Sequence, residues 1–148
     1  MIAIIIYMLI LAMLHGKWET EVEGSAAWAA KLPCWTFSNK ITDIIMGNKP
    51  ITGYHCWMVI VFLFIFHSPF LFIGWNLSNE FLTLGLFSWY WIFEDISWFI
   101  ENRFYGLHNL KKGRTYWHKR WFVGLPLSYW LLGGIGSVFL LMSRLLTH

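Results

Sequence analysis

Four long apolar runs alternate with more polar segments along the chain. They cover residues 1–16, 54–75, 81–100 and 121–146. Because about 20 helical residues cross the hydrocarbon core of a bilayer, each run predicts a transmembrane helix. The first run is short, so it needs Lys17 and Trp18 as anchors at the membrane interface. The pattern predicts an all-α integral membrane protein, in which a four-transmembrane-helix bundle forms one membrane domain over residues 1–148.

Residues 17–53 are the only sizeable stretch that this pattern leaves outside the bilayer. An Ala-rich stretch at residues 24–31, followed by Pro33, predicts a short helix. A second short helix is predicted at residues 38–46, where isoleucines form a one-sided apolar stripe. A helix with such a stripe suits the membrane surface. We therefore expect an interfacial segment of short helices here.

Proline and small residues modify the predicted spans. His67 and Pro69 interrupt the second span and predict a kink, because proline removes a backbone donor. A tight turn is expected at residues 76–80. Small residues at four-residue spacing in the fourth run predict close helix packing; they are Gly124, Ser128, Gly133 and Ser137.

Composition and charge support a membrane protein and suggest its orientation. The chain is 57% hydrophobic and 13% charged, whereas soluble domains contain about 25% charged residues. Of eleven Lys and Arg residues, four lie in 17–53 and six in 101–120. The positive-inside rule predicts that both segments are cytoplasmic and that both termini are outside. This clustering favours anionic lipid as a partner and gives no reason to expect nucleic acid.

The third span carries acidic residues in a hydrophobic setting. At about 100° per residue, one third of the helix surface between residues 89 and 102 is polar or indole-bearing. This face comprises Trp91, Glu94, Asp95, Trp98, Glu101 and Asn102. A carboxylate inside a span costs ~2.5–3.5 kcal/mol, which makes it a functional-site hypothesis. We expect this face to point into the bundle, and Ile92, Ile96 and Ile100 to point toward lipid or a partner chain.

The predicted topology brings histidines into the same layer as these acids. Imidazole and carboxylate groups on facing helices bind divalent metals such as Zn²⁺ or Fe²⁺, or act in acid–base catalysis. We predict a catalytic or metal site formed by His55, Glu94, Asp95 and His118, with the imidazoles close to at least one carboxylate. Further candidate ligands are His15, Glu19, Glu23 and Glu101.

The spacing of the first-span candidates leaves two interpretations open. His15, Glu19 and Glu23 would face one way if the first helix continued past residue 16. The alternation of Glu19, Glu21 and Glu23 fits an extended strand equally well.

Substrate-binding residues are expected beside this site. Trp91, Trp98 and Asn102 would line the adjacent space. Three basic residues of the connection before the fourth span would hold an anionic lipid headgroup; they are Lys112, Arg114 and Arg120.

The sequence thus favours a small membrane enzyme with a cytoplasm-facing His/carboxylate site that acts on a lipid or other apolar substrate. It contains no HExxH motif and no histidine box. One alternative is a non-catalytic accessory subunit, in a homo-oligomer or a larger membrane complex. A third interpretation is a proton or ion pathway through Glu94, Asp95 and His67.

Overall fold

The chain is mostly helical, with two short antiparallel strand pairs. The computed structural model describes residues 2–46, without the side chains of 44–46, and residues 49–147. The α-helices are α1 (Ile2–Glu23), α2 (Lys40–Met46), α3 (Gly53–His67), α4 (Phe70–Ile73), α5 (Leu77–Glu101) and α6 (Leu127–Leu146). The strands are β1 (Thr36–Phe37), β2 (Ile51–Thr52), β3 (Trp121–Phe122) and β4 (Leu125–Pro126), paired β1 with β2 and β3 with β4.

Three helical stretches are long and apolar enough to cross a membrane. They are α1, the combined stretch Gly53–Ile73, and α6. Most of their apolar side chains are exposed on the outside of the molecule, which suits a lipid environment. The longest helix, α5, has 25 residues and contains the acidic cluster.

Helix α5 lies between α1 and α6 and packs against both. Gly16 lets α1 approach closely, because a Cβ there would lie 2.8 Å from the backbone nitrogen of Trp98. On the other side, a Cβ on Gly136 would lie 3.0 Å from the carbonyl oxygen of Gly85. Small residues therefore set the separation of both helix pairs.

The core lies mainly on the α1-facing side of α5. One cluster of buried side chains joins α1, α3 and α5; it comprises Met8, Ala12, Met58, Phe62 and Tyr90. A second cluster lies near the carboxyl end of α5 and comprises Ala27, Trp98, Phe99 and Trp117. The segments that follow α1 and α5 contribute to this second cluster, so they cover that end of the helices.

The first predicted helix after residue 16 is not observed. α1 continues to Glu23, and residues 24–31 form turns in which Ala27, Trp28 and Ala29 have positive φ angles. The backbone N–H of Ala29 donates to the Glu23 carboxylate, and the Asn102 side chain donates to the carbonyl of Gly24. These tertiary contacts outweigh the local helix propensity of alanine.

Other predicted boundaries are confirmed or corrected. The chain breaks between α3 and α4 at His67–Pro69, as predicted, and α2 confirms the second short helix. The expected turn at residues 76–80 is wrong beyond its first residue, because Asn76 accepts a hydrogen bond from the Asn79 N–H and α5 starts at Leu77. Gly47, a residue type that commonly follows a helix, is predicted from the sequence to end the second short helix, and it lies outside the described residues.

The start of the fourth run is also corrected. β3 and β4 form a hairpin, and α6 begins only at Leu127. Val123 and Gly124 both have positive φ, a conformation that suits a two-residue hairpin turn. Pro126 lacks the N–H that a longer helix would need.

The predicted orientation of α5 is correct for Glu94 and Trp98, but of the three isoleucines only Ile100 is exposed, and Ile96 is half-buried. Glu94 and Trp98 are buried and Ile100 is exposed, as expected. Ile92, however, is buried, with its Cδ1 3.6 Å from the position of a Cβ on Gly133. It is buried because α6 packs on that side of α5.

The glycines of α6 provide a test of this packing. We expect Gly136→Ala to lower the free energy of unfolding by about 1–3 kcal/mol through overpacking, because its Cβ would lie 2.8 Å from Trp89 and 3.0 Å from Ser88. Gly134→Ala is the matched control, since nothing lies within 4 Å of its Cβ. It should be neutral or stabilising by up to about 1 kcal/mol. Thermal unfolding in detergent would compare them, and equal effects would contradict the described contact.

Candidate metal centre

Two histidines and three glutamates meet where α1, α3 and α5 come together. α1 provides His15, Glu19 and Glu23, α3 provides His55, and α5 provides Glu94. Because α1 is helical as far as Glu23, its three candidate ligands share one face at four-residue spacing. The helical interpretation of that spacing is therefore correct, and the strand interpretation is wrong.

These residues form two overlapping groups with the geometry of metal ligands. One ligand atom each from His15, Glu19 and Glu94 lie within 4.8 Å of one another. The same holds for Glu19, Glu23 and His55. Mixed imidazole and carboxylate donors suit Zn²⁺, Fe²⁺ or Mn²⁺. The protein thus has His/Glu groups that are able to hold a metal ion.

The burial of the carboxylates shows why a cation fits here. Glu19, Glu23 and Glu94 are between 4% and 8% exposed. Among the described residues, Glu94 Oε1 has no hydrogen-bond partner. Two ionised carboxylates about 4 Å apart repel each other by roughly 4 kcal/mol at an effective dielectric constant of 20. The cluster therefore needs protons or metal ions among its oxygens.

His55 is oriented toward two of these carboxylates. Its Nδ1 lies 2.6 Å from the hydroxyl of Thr52, which also caps α3, and its ring stacks on Trp28 at 4.0 Å between centroids. Its Nε2 lies 3.6 Å from one oxygen each of Glu19 and Glu23. With Nδ1–H donating to Thr52, the Nε2 lone pair is available to a metal.

His15 is held by similar contacts deeper in the protein. Its Nδ1 lies 2.7 Å from the Tyr90 hydroxyl, and its ring stacks on Phe62 at 4.1 Å. Its Nε2 is 3.0 Å from the Met58 sulfur, a weak partner that a metal ion could replace. Both histidines thus have an oriented ring and one nitrogen suited to coordination.

Asp95 and His118 form a separate pair beside the two groups. His118 Nε2 lies 3.0 Å from Asp95 Oδ2, and the Tyr129 hydroxyl donates to the same oxygen. Neither residue belongs to a metal group among the described residues. The pair lines the same cavity as the three glutamates and His55.

A cavity of about 400 Å³ connects these residues. Its lining includes Trp91, Trp98 and Lys49, together with the carboxylates of both metal groups, but not His15. The Lys49 ammonium lies 3.7 Å from the centroid of the Trp28 ring. Burial lowers the pKa of Lys49 to about 8, although the nearby charges of Asp95 and Glu19 act in the opposite direction.

Several residues predicted for the site lie elsewhere. Asn102 has a structural role, because its side chain bonds the backbone of Gly24 and Phe104. Glu101 belongs to neither metal group. The predicted headgroup ligands lie on the exposed surface and do not line the cavity; they are Lys112, Arg114 and Arg120.

Sequence reasoning missed four residues that complete the site. Tyr90 could have been found, because it lies four residues before Glu94 and so shares its face. Thr52 precedes the predicted second span in the position typical of a helix cap. No sequence signal marks Lys49 or Tyr129, because only the tertiary fold brings them to the cavity.

Comparisons of the chain with family models, with curated proteins and with solved structures found no match.

The Asp95–His118 pair provides a test of this arrangement. We expect His118→Ala to lower the free energy of unfolding by about 1–3 kcal/mol, because it leaves a largely buried carboxylate short of a partner. His108→Ala is the control, since His108 is exposed in the same connection. It should change stability by no more than about 0.5 kcal/mol. Chemical denaturation in detergent would measure both, and an equally small effect of His118→Ala would contradict the pairing.

Proposed function

We propose that the protein is a membrane metalloenzyme that acts on a lipid or other apolar substrate at the cytoplasmic face of the bilayer. The observation that carries this proposal is the pair of buried His/Glu groups that share Glu19. Burying three carboxylates and two histidines is costly for a purely structural role, because apolar packing would stabilise the same space without desolvated charge. A bound metal ion would compensate the buried carboxylate charge and account for this arrangement.

In this proposal α1, α3 with α4, α5 and α6 are the four transmembrane elements of one bundle. α5 is included because it lies between two apolar helices that are themselves long enough to span. The metal centre is near the carboxyl ends of α1 and α5 and the start of α3. Segments 17–53 and 101–120 follow at that same end, and their basic residues favour the cytoplasm, with both termini outside.

The surface next to the centre suits an apolar substrate. A groove of about 680 Å³ runs between α1, α3 and the turns that follow α1, and its lining is almost entirely apolar. Met58 belongs to the walls of both the groove and the metal cavity. At its rim, Trp18 and Trp57 are exposed. An acyl chain in this groove would place its polar end beside the metal groups.

In this proposal Lys49 binds the anionic headgroup, a role predicted from the sequence for Lys112, Arg114 and Arg120. It is the lysine in the cavity wall, and it lies above Trp28, which stacks on His55. An acidic or phosphate-bearing headgroup in the cavity would find this ammonium close to the metal centre. A divalent ion held by these residues would supply Lewis acidity toward a carbonyl or phosphoryl oxygen. The Asp95–His118 pair is placed to accept or donate the proton.

Metal content tests the proposal most directly. We expect purified wild-type protein to contain Zn, Fe or Mn, and Glu94→Gln to weaken metal binding at least about tenfold, since it removes a charged ligand. Glu101→Gln is the matched control, because it makes the same change seven positions along α5 outside both groups. Elemental analysis and equilibrium dialysis would provide the numbers. Metal-free protein that also fails to bind added ions would refute the metalloenzyme proposal.

Enzymatic activity would be assayed on membrane lipids. Proteoliposomes made from a total lipid extract would be incubated with metal-loaded protein, and the lipids analysed by mass spectrometry. Products formed by wild type and Glu101→Gln but not by Glu94→Gln would support catalysis. If the metal-loaded protein changed no lipid, the protein would bind metal without turning over lipid. That result would contradict the proposed lipid substrate.

Labelling of single cysteines tests the proposed orientation. In a Cys34→Ser/Cys56→Ser background, we expect Lys112→Cys to react with a membrane-impermeant maleimide only after the cells are permeabilised. Leu77→Cys, at the opposite end of α5, should react in intact cells, because the positive-inside rule places it outside. Reaction of Lys112→Cys in intact cells would show that the orientation is inverted.

A further inference from the structure

Glu19 is common to both metal groups, and this fact bears on how many ions the centre holds. We propose that the centre binds two divalent metal ions bridged by the Glu19 carboxylate. One ion would be held by His15 and Glu94, and the other by Glu23 and His55. This inference rests on the proposed metal function and specifies the site further.

The spacing along α1 favours two ions over one. His15, Glu19 and Glu23 are four residues apart, so consecutive ligands are about 6 Å apart along the helix axis. His15 and Glu23 are thus separated by about 12 Å along α1, with Glu19 midway. A carboxylate at the midpoint can give one oxygen to each neighbour. Ions in such pairs lie about 3.5–4 Å apart.

The distances within each group support the same conclusion. Ligands at about 2.1 Å from a tetrahedral ion are separated from one another by about 3.4 Å. His55 Nε2 already lies 3.6 Å from Glu19 and from Glu23. The five residues do not form one group within 4.8 Å; they form two groups of three. A single ion would therefore leave part of the buried set unused.

Charge balance permits a second ion. Ionised Glu19, Glu23 and Glu94 carry three negative charges, so one divalent ion leaves one negative charge in the cluster. Two ions leave one positive charge, which Asp95 at the edge of the same cavity can balance. Lys49 in the cavity wall then adds a positive charge that an acidic substrate group could neutralise.

The Glu94 Oε1 atom gives independent support for an ion in the first group. Glu94 is 4% exposed, and this oxygen has no hydrogen-bond partner among the described residues. Buried carboxylate oxygens are ordinarily satisfied. Its neighbours in the first group are Glu19 and His15. A metal ion between these three residues would satisfy the oxygen and relieve the repulsion between the two carboxylates.

The test counts ions in the full chain. Protein purified in detergent and stripped with a chelator would be titrated with Mn²⁺, with bound metal measured by equilibrium dialysis and spin coupling by electron paramagnetic resonance. We expect two ions per chain and a coupled spectrum at saturation. One ion per chain, uncoupled, would overturn the two-ion inference and leave the proposed function standing. No bound ion would overturn both.

Variants assign the two positions. We expect His15→Ala and His55→Ala each to retain one ion per chain and to lose the coupled spectrum, because each removes a ligand of one ion only. Glu19→Ala should weaken both ions. His67→Ala is the control, since its ring bonds Leu63 and Glu80 away from the centre, and it should retain two coupled ions. The assignment would be wrong if both His15→Ala and His55→Ala still bound two coupled ions. It would also be wrong if both variants eluted as folded protein but bound no ion.

Discussion

The burial of three carboxylates at one end of the helices is the constraint on which the rest of the structure depends. Glu19, Glu23 and Glu94 are almost fully buried, and charge in such surroundings must be compensated. The nearby chain is arranged around this requirement. The backbone N–H of Ala29 donates to Glu23, and His55 faces both α1 glutamates. The turns after α1 therefore have an electrostatic as well as a packing role.

Close helix packing makes this cluster possible. Gly16 lies between His15 and Lys17 on α1, where its missing side chain allows α1 to touch the backbone of Trp98. That contact lies three residues before Glu19 on α1 and four residues after Glu94 on α5, so it brings the two helices together beside these carboxylates. A bulkier residue at Gly16 would separate the groups even though it contacts neither of them. The glycine is therefore a positioning residue for the centre.

The sequence predicted features that depend on local pattern and missed those that depend on distant contacts. The four apolar runs predict four spans, and three helical stretches are long and apolar enough to cross a membrane. The i, i+4, i+8 spacing of His15, Glu19 and Glu23 predicts one shared face because α1 continues to Glu23. The continuation itself was uncertain, because the alternating glutamates fit a strand as well. The prediction for the Ala-rich segment is wrong because local propensity was overruled. Alanine favours a helix, but the hydrogen bonds that Ala29 and Asn102 donate hold this segment as turns.

Sequence spacing does not show that the two acids of α5 belong to different parts of the site. Glu94 and Asp95 are adjacent in the chain, yet they point to different partners: Glu94 toward His15 and Glu19, Asp95 toward His118 and Tyr129. Neighbouring residues on a helix are about 100° apart, so one turn of α5 can serve two neighbouring groups. This geometry keeps Glu94 apart from the Asp95–His118 pair, although all three side chains line one cavity. The division explains why a helix between α1 and α6 carries two adjacent acids.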